Sequence, residues 1–379
     1  MRKKFTTDDQ KWRKNVKRSI KFFYFVAALP FFSSIGSADE LVEEKEIPSF
    51  EQGSAVKEEM ACGYNASSRI DVNGAWDVFI NGSYILWQPE QSGLAIAKYS
   101  PSSGKSSPVN MDFDFHSGFK VAFGTNLNHD NWMAVAEYTR LHTRDHASAT
   151  VSLSPYVAYL APFYESSGNS TGKCSSAAGH WQLKYDMIDF SFGRPCYVGT
   201  HLTFKPFFGL RGGWIDQHLD AEYTNLSNVP AVYSMGNVWN RSNSWLVGPR
   251  AGVGMNWLLG IGFRVLANAA GSLNYQEFKT RHAEAINLTP SFSGFVQNFN
   301  AAEKNHQITP NIEGDIGLGW GTYFDNNNWH FDLLASYHFE VFWCQNEMAR
   351  FSQELINGIY GKSGSLNFQG LTVTAQLDF

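Results

Sequence analysis

The amino-acid sequence predicts an all-β chain, a transmembrane antiparallel up-and-down β-barrel of about ten strands with twelve as the alternative count. Three observations predict it. The C-terminal segment alternates strictly between apolar and polar residues. That alternation recurs from Gly74 onward. The connections between the alternating segments are short and long by turns.

The C-terminal segment is the cleanest case. Leu371, Val373, Ala375, Leu377 and Phe379 alternate with Thr372, Thr374, Gln376 and Asp378. A period of two makes one face of a strand apolar and the other wet. Bacterial outer-membrane barrels end on such a strand with a terminal aromatic, which makes the barrel-assembly machinery an expected partner through Phe379.

The remaining strands follow in order. The first has Trp76, Val78, Ile80, Gly82, Tyr84 and Leu86 in one phase. In the second, Met111, Phe113, Phe115, Phe119, Val121 and Phe123 oppose Asp112, Asp114, His116, Lys120 and Gly124. The third runs from Trp132 to Thr139 with Glu137 on its polar face. In the fourth, Leu183 and Tyr185 fall out of phase with Ile188, Phe190 and Phe192, so a bulge is expected near Asp186. The fifth sets Leu202, Phe204, Phe208, Leu210 and Trp214 against Lys205, Gly209 and Arg211. The sixth sets Trp245, Val247, Val253 and Trp257 against Arg250, Gly252 and Gly254. Pro206 and Pro249 inside these two strands are expected to mark bulges. The seventh, eighth and ninth carry Arg264, then Glu313 and Asp315, then Asp332, His338 and Glu340 on their polar faces. These segments suit membrane strands of ~9–11 residues with aqueous overhang.

Short connections lie near 125–130, 194–201, 258–261 and 325–328. Long ones cover 146–180, 217–243, 277–307 and 345–365, with a moderate one at 88–110. Short periplasmic turns against long outer loops are the signature of an outer-membrane barrel. With both termini periplasmic the strand count is even, and Leu94 to Tyr99 could add a hairpin above the membrane. Trp132, Trp257, Trp329 and Phe379 fall at the inner strand ends, and Trp214, Trp245 and Trp343 at the outer ends. Two such aromatic girdles sit at headgroup depth against outer-membrane lipid.

Residues 1–38 read as a signal peptide. Nine basic residues precede an apolar run from Phe22 to Phe32, and Gly36-Ser37-Ala38 follows. The run is too short to span a bilayer as a helix. Residues 39–73 are acidic and poor in aromatics, as expected of a mobile periplasmic extension, and 74–379 is the barrel. Without the signal the chain has 21 bases against 33 acids, a net charge of −12. That balance argues against nucleic-acid binding, which needs a basic face.

The stretches Tyr84-Ile85-Leu86-Trp87, Trp181-Gln182-Leu183-Lys184-Tyr185-Asp186, Gly209-Leu210-Arg211-Gly212-Gly213-Trp214-Ile215-Asp216-Gln217, Val247-Gly248-Pro249-Arg250-Ala251-Gly252 and the Gly370–Phe379 ending carry a resemblance. The chain resembles the Legionella-type major outer membrane protein family over most of its length from Ala75 onward. The Gly-Leu-Arg-Gly…Trp-Ile-Asp-Gln stretch is the most specific part. The resemblance implies a surface-exposed, pore-forming protein of the bacterial outer membrane, and it carries over no catalytic residue.

If the apolar phase faces lipid, the other phase lines the lumen. The expected pore-lining set is Asp112, Asp114, His116, Lys120, Glu137, Arg211, Arg250, Arg264, Glu313, Asp315, Asp332, His338 and Glu340. Basic residues on the fifth to seventh strands facing acids elsewhere would set up a transverse field across a path for small solutes or ions. Lumen glycines (Gly124, Gly209, Gly252, Gly317, Gly319, Gly321) would widen that path. The alternative is that the charges pair and plug a narrow barrel. The expected function is therefore a weakly cation-favouring diffusion pore. The alternative is a closed barrel serving as a surface adhesin or envelope protein, with host surface as a partner of its outer loops.

An enzyme is not expected. His338 and Glu340 share the lumen face, and His142 and His146 lie near an outer loop, but no Gly-x-Ser-x-Gly or His-Glu-x-x-His motif is present. No cofactor or metal is expected, because the four cysteines lie far apart. Topology places Cys174 and Cys344 outside and Cys62 and Cys196 in the periplasm. Only the pairings Cys174–Cys344 and Cys62–Cys196 avoid crossing the membrane, and intermolecular bridges are the alternative.

Overall fold

The computed structural model describes residues 66–379, apart from 74–76, 102–103, 128–129, 152–157, 163–172, 226–234, 288–295 and 359. The signal peptide, residues 39–65 of the extension, Cys62 and Trp76 lie outside the described residues. Fourteen strands and one helix are described: β1 (Val78–Gln91), β2 (Ala97–Pro101), β3 (Ser107–Val109), β4 (His116–Asn126), β5 (Met133–Thr150), β6 (Ala158–Pro162), β7 (Ser176–Gly193), β8 (Cys196–Tyr197), β9 (Leu202–Thr224), β10 (Met235–Gly260), β11 (Phe263–Asn287), β12 (Val296–Phe324), β13 (Trp329–Phe342), α1 (Glu347–Asn357) and β14 (Leu366–Asp378).

Ten of these strands form one ring of antiparallel neighbours, β10-β11-β12-β13-β14-β1-β4-β5-β7-β9, closed by the β9–β10 ladder. Closure removes the two free edges that an open sheet would present to lipid, the condition for a sheet to span a bilayer. Ten is the barrel count, and twelve is excluded. The Leu94–Tyr99 segment enters a separate three-stranded sheet, β3-β2-β6, instead of the wall.

Stepping across paired residues from Trp320 on β12 through Leu333, Ala375, Gly82, Val121, Tyr138, Ile188, Gly212, Val247 and Tyr275 returns to β12 at Ile308, twelve residues higher. With ten strands that stagger corresponds to a tilt of about 40°, and barrels little wider than eight strands have interiors that side chains fill.

The lower turns use residues that tolerate the left-handed region. Asp325, Asn326 and Asn327 have φ of 52°, 55° and 66°, and Gly260 and Gly262 flank Ile261. Above the membrane the long loops expected at 217–243 and 277–307 are largely strand, and the one expected at 146–180 contains β6 and the upper ends of β5 and β7. The β9–β10 ladder continues to Thr224↔Met235 and the β11–β12 ladder to Ile286↔Val296. There both faces are largely polar, so the apolar alternation that marks a membrane strand disappears while the backbone ladder persists.

The bulges expected at Asp186, Pro206 and Pro249 are also absent. The β7 register is continuous on both sides, and Pro206 and Pro249 pair in register with Val253 and Leu210. Leu183 and Tyr185 therefore point inward, opposite to Ile188 and Phe190, because the upper lumen is itself an apolar core.

That core joins Trp87, Trp181, Leu183, Tyr185, Ile215, Leu219, Phe342, Met348 and Phe368, all essentially inaccessible. Residues of the 345–365 connection provide part of it, since α1 is amphipathic and packs into the upper barrel. Asn346 caps α1. Its side-chain oxygen accepts from the Ala349 N–H at 3.0 Å and its amide donates to the Ser92 carbonyl at 2.7 Å. Gly358, at φ 64°, ends the helix with its N–H on Glu354. Asn346→Ala is expected to cost about 1–2 kcal/mol, read as a lower denaturant midpoint and faster proteolysis between 343 and 365.

Candidate functional site: the lumen

Arg211 is the centre of the lumen. It rises from β9 and is 2% exposed. Its Nε and Nη2 donate to Asp189 at 2.7 and 2.8 Å, Nη2 to Glu313 at 2.7 Å, and Nη1 to Glu340 and Asn311, each at 2.7 Å. Asp189 lies on the adjacent β7, whereas Glu313 and Asn311 lie on β12 and Glu340 on β13. The guanidinium thus ties one wall to the other across the lumen. Tyr185 donates to Glu340 at 3.0 Å, and Arg250 donates to Glu313 at 2.6 Å. A buried charge in such a setting needs several charge-assisted hydrogen bonds to offset desolvation.

The other expected lumen residues fall around this centre. Lys120 reaches Glu137 at 3.4 Å and lies 5.0 Å from the Trp87 ring. His338 stacks on Trp87 at 4.1 Å and hydrogen-bonds Asp315 at 2.8 Å. Arg264 pairs with Asp332, and His330 with Asp378. Bases and acids therefore pair mostly between neighbouring strands instead of standing as opposed charged walls.

Three residues belong elsewhere. Asp112 and Asp114 precede β4 and are exposed, because the chain leaves the wall above His116. His116 turns to Asp145 at 2.8 Å at the upper end of β4.

The lumen glycines make room for neighbours, not for solute. A side chain at Gly124 would collide with the Phe79 ring, at Gly252 with the Phe207 ring, and at Gly319 with Leu334.

Below the Arg211 network lies a polar cavity of about 360 Å³, lined by Lys205, Arg250, Arg264, Glu137, Asp315 and Asp332 among others. Residues 66–73, read from sequence as part of a mobile extension, run beneath it. Ser68 bonds Pro195 and Tyr197 bonds Ala66 at the β7–β9 turn, while Asn73 bonds Asn327 at the β12–β13 turn. Those turns lie four strands apart in the ring of ten, so this segment crosses the lower mouth, and Ser68, Arg69 and Ile70 line the cavity.

Above the network stand the apolar core and α1. Arg350 of α1 bonds Glu347 at 2.6 Å and Glu354 at 2.9 Å and pairs with Glu303 of β12. Burial pulls its pKa down, but the hydrogen bonds and charges of Glu347 and Glu303 more than offset this and hold it above the usual range. Ser352, His282, Glu284 and Asn240 form a second buried set tying α1 to β10 and β11.

The girdle residues point outward. Trp214 and Trp257 are more than half exposed, Trp245 and Trp343 somewhat less. At the inner ends Trp132 packs on Phe208, and Trp329 on Phe379.

The expected Cys174–Cys344 bridge is absent. Cys344 is an exposed free thiol above β13, and Cys174 is buried at the top of β7, five strands away on the opposite wall. Cys196 is likewise a free thiol, and its expected partner Cys62 lies outside the described residues.

Sequence reasoning overlooked Asp189, Asn311, Tyr185, Trp87 and α1. Asp189 and Tyr185 were legible in phase with Leu183 had no bulge been assumed. Nothing in the strand periodicity marks a loop that folds inward.

Solved structures with similar features are outer-membrane proteins of low identity. They include the outer membrane protease OmpT from Escherichia coli (10% identity, TM-score 0.37, covering 83% of this chain and 100% of that one). Ail, the attachment invasion locus protein of Yersinia pestis, shows 8% identity and a TM-score of 0.21 over 79% of this chain and 97% of Ail. A Pseudomonas aeruginosa FadL homologue shows 5% and 0.27 over 80% and 89%. Scores this low carry no functional argument. No curated protein matches the chain. The family model described as the Legionella pneumophila major outer membrane protein precursor matches residues 71–379. Together with the closed ten-stranded barrel, that match makes the chain a bacterial outer-membrane protein and a member of the Legionella major outer membrane protein family.

Proposed function

We propose that this protein is a barrel closed at mid-height in its ground state, acting at the cell surface as an envelope and adhesive protein. The carrying observation is the Arg211 network, which joins opposite walls with every charged partner buried. The apolar core and α1 above it support the same reading. The extended ribbons of β9–β10 and β11–β12 offer the contact surface to a host or neighbouring cell. Outer-membrane lipid surrounds the aromatic girdles, and β14 with Phe379 is the segment the assembly machinery would engage. No catalytic role is assigned, since His338 and Glu340 are committed to the buried network and His142 to Asp186 at 2.9 Å.

A second reading is supported by the polar cavity beneath the network: a weakly cation-favouring diffusion pore that conducts only when both upper layers move. Single-channel recording in a planar bilayer under a salt gradient separates the two. The closed reading expects a folded, heat-modifiable barrel without resolved conductance steps. Steady steps with a cation-side reversal potential would overturn it and favour the pore.

A further inference from the structure

On its outer face the wall opens between β4 and β5. β4 pairs with β5 from Asn126↔Met133 up to Phe119↔Arg140 and no further. The two segments meet again only at Asp112↔His146, with one extra residue on the β4 side. Between these points the β5 backbone from Leu141 to Asp145 has no ladder partner on that side. A cleft lies there, lined by His116, His142, Thr143, Arg144, Gln182 and Lys184.

Register gives the height of this cleft. At ~3.3 Å per residue and a tilt of about 40°, each residue climbs about 2.5 Å along the barrel axis. Arg144 stands twelve residues above Trp132 on the same ascending stretch, the same separation as Trp245 from Trp257 on β10. Arg144 is therefore level with the upper girdle, where the polar groups of the outer leaflet lie. Lys184 is one ladder step away, since it pairs with His142.

Below His142, Arg140 and Asp186 the outward phase is apolar: Phe119 on β4, Tyr138 on β5, and Ile188 and Phe190 on β7. At the boundary Asp186 engages His142 at 2.9 Å and lies 3.9 Å from Arg140. Above it, Arg144 and Lys184 are exposed and make no ion pair with any described residue. Asp216 lies opposite Lys184 in the β7–β9 ladder, yet beyond ion-pair distance.

We propose that this cleft seats the phosphorylated headgroup of an outer-leaflet glycolipid, with Arg144 and Lys184 as its phosphate-binding pair. Acyl chains descend along Phe119, Tyr138, Ile188 and Phe190 while the phosphate stays at girdle height. A soluble anion would gain nothing from the apolar column that begins below Arg140, His142 and Asp186. The imidazoles of His116 and His142 and the Thr143 region add polar partners for the sugar.

The test uses the refolded chain in detergent with bis-phosphorylated lipid A, and with the same lipid after removal of its phosphates. Retained lipid per barrel is counted by mass spectrometry after gel filtration. Wild type is expected to retain the phosphorylated lipid and to bind the dephosphorylated one much more weakly. Arg144→Gln/Lys184→Gln should lower retention at least about tenfold, the loss of one or more charge-assisted hydrogen bonds. Arg144→Lys alone should keep most of it. Heat-modifiable migration verifies folding of each variant, and both side chains face outward, away from the core. Equal retention by the double variant would overturn the proposal, as would equal retention of the dephosphorylated lipid. Competition by inorganic phosphate as effective as by lipid A would make the site one for soluble anions and overturn it too.

Discussion

Arg211→Met is expected to destabilise the folded barrel by about 3–5 kcal/mol, the range for breaking one side of a buried ion pair. The substitution keeps the volume and removes the cation, leaving Asp189 (6% exposed), Glu313 (6%) and Glu340 (1%) facing one another without their shared donor. Arg250 still reaches Glu313, and Asn311 still donates to Glu340 at 3.1 Å, so part of the network survives. Arg211→Lys rescues little, because an ammonium cannot reproduce the paired 2.7 and 2.8 Å bonds to Asp189 while also reaching the far wall. Guanidinium unfolding in detergent, followed by tryptophan fluorescence, reads the change. A shift below about 1 kcal/mol would mean that water replaces the guanidinium, and that the network is not what closes the lumen.

Trp87→Ala carries the second large effect, about 3–5 kcal/mol for truncating a buried tryptophan. Trp87 is fully buried where the polar and apolar layers meet. Its ring stacks on His338 and carries Lys120 on its face, and its Nε1 donates to Thr372 at 3.0 Å. Trp87→Phe preserves an aromatic face and loses the hydrogen bond, so it should cost about 1 kcal/mol. The same unfolding measurement orders the three proteins. If Ala and Phe cost the same, the hydrogen bond and not the packing dominates at this position.

The two residues differ in how legible they are. Arg211 stands out because it is a charge in the polar phase of its strand, opposite Leu210 and Trp214, so period-two alternation assigns it inward without further information. Trp87 lies in the inward phase too, in Tyr84-Ile85-Leu86-Trp87, but an aromatic inside a barrel expected to hold water has no place in a scheme that equates inward with polar. The same assumption turned Leu183 and Tyr185 into evidence for a bulge. It also led the glycines at 124, 252 and 319 to be read as empty space, when the rings of Phe79 and Phe207 and the side chain of Leu334 occupy it.

What the amino-acid sequence determined by itself is the wall: about ten strands, their order along the chain, the face most of them turn to lipid, the two aromatic girdles and the short lower turns. These follow from local periodicity, because the bilayer demands an apolar outer face at every second residue and satisfied backbone hydrogen bonds throughout. What only the tertiary structure decided is the interior. The partners of Arg211 lie 22, 102 and 129 residues away in sequence, and the twelve-residue stagger brings them to one height. The inward fold of α1 and the path of residues 66–73 across the lower mouth depend likewise on closure of the ring. Side-chain chemistry is written locally, but which charges meet inside a barrel is set by shear, a property of the closed sheet that no single strand contains.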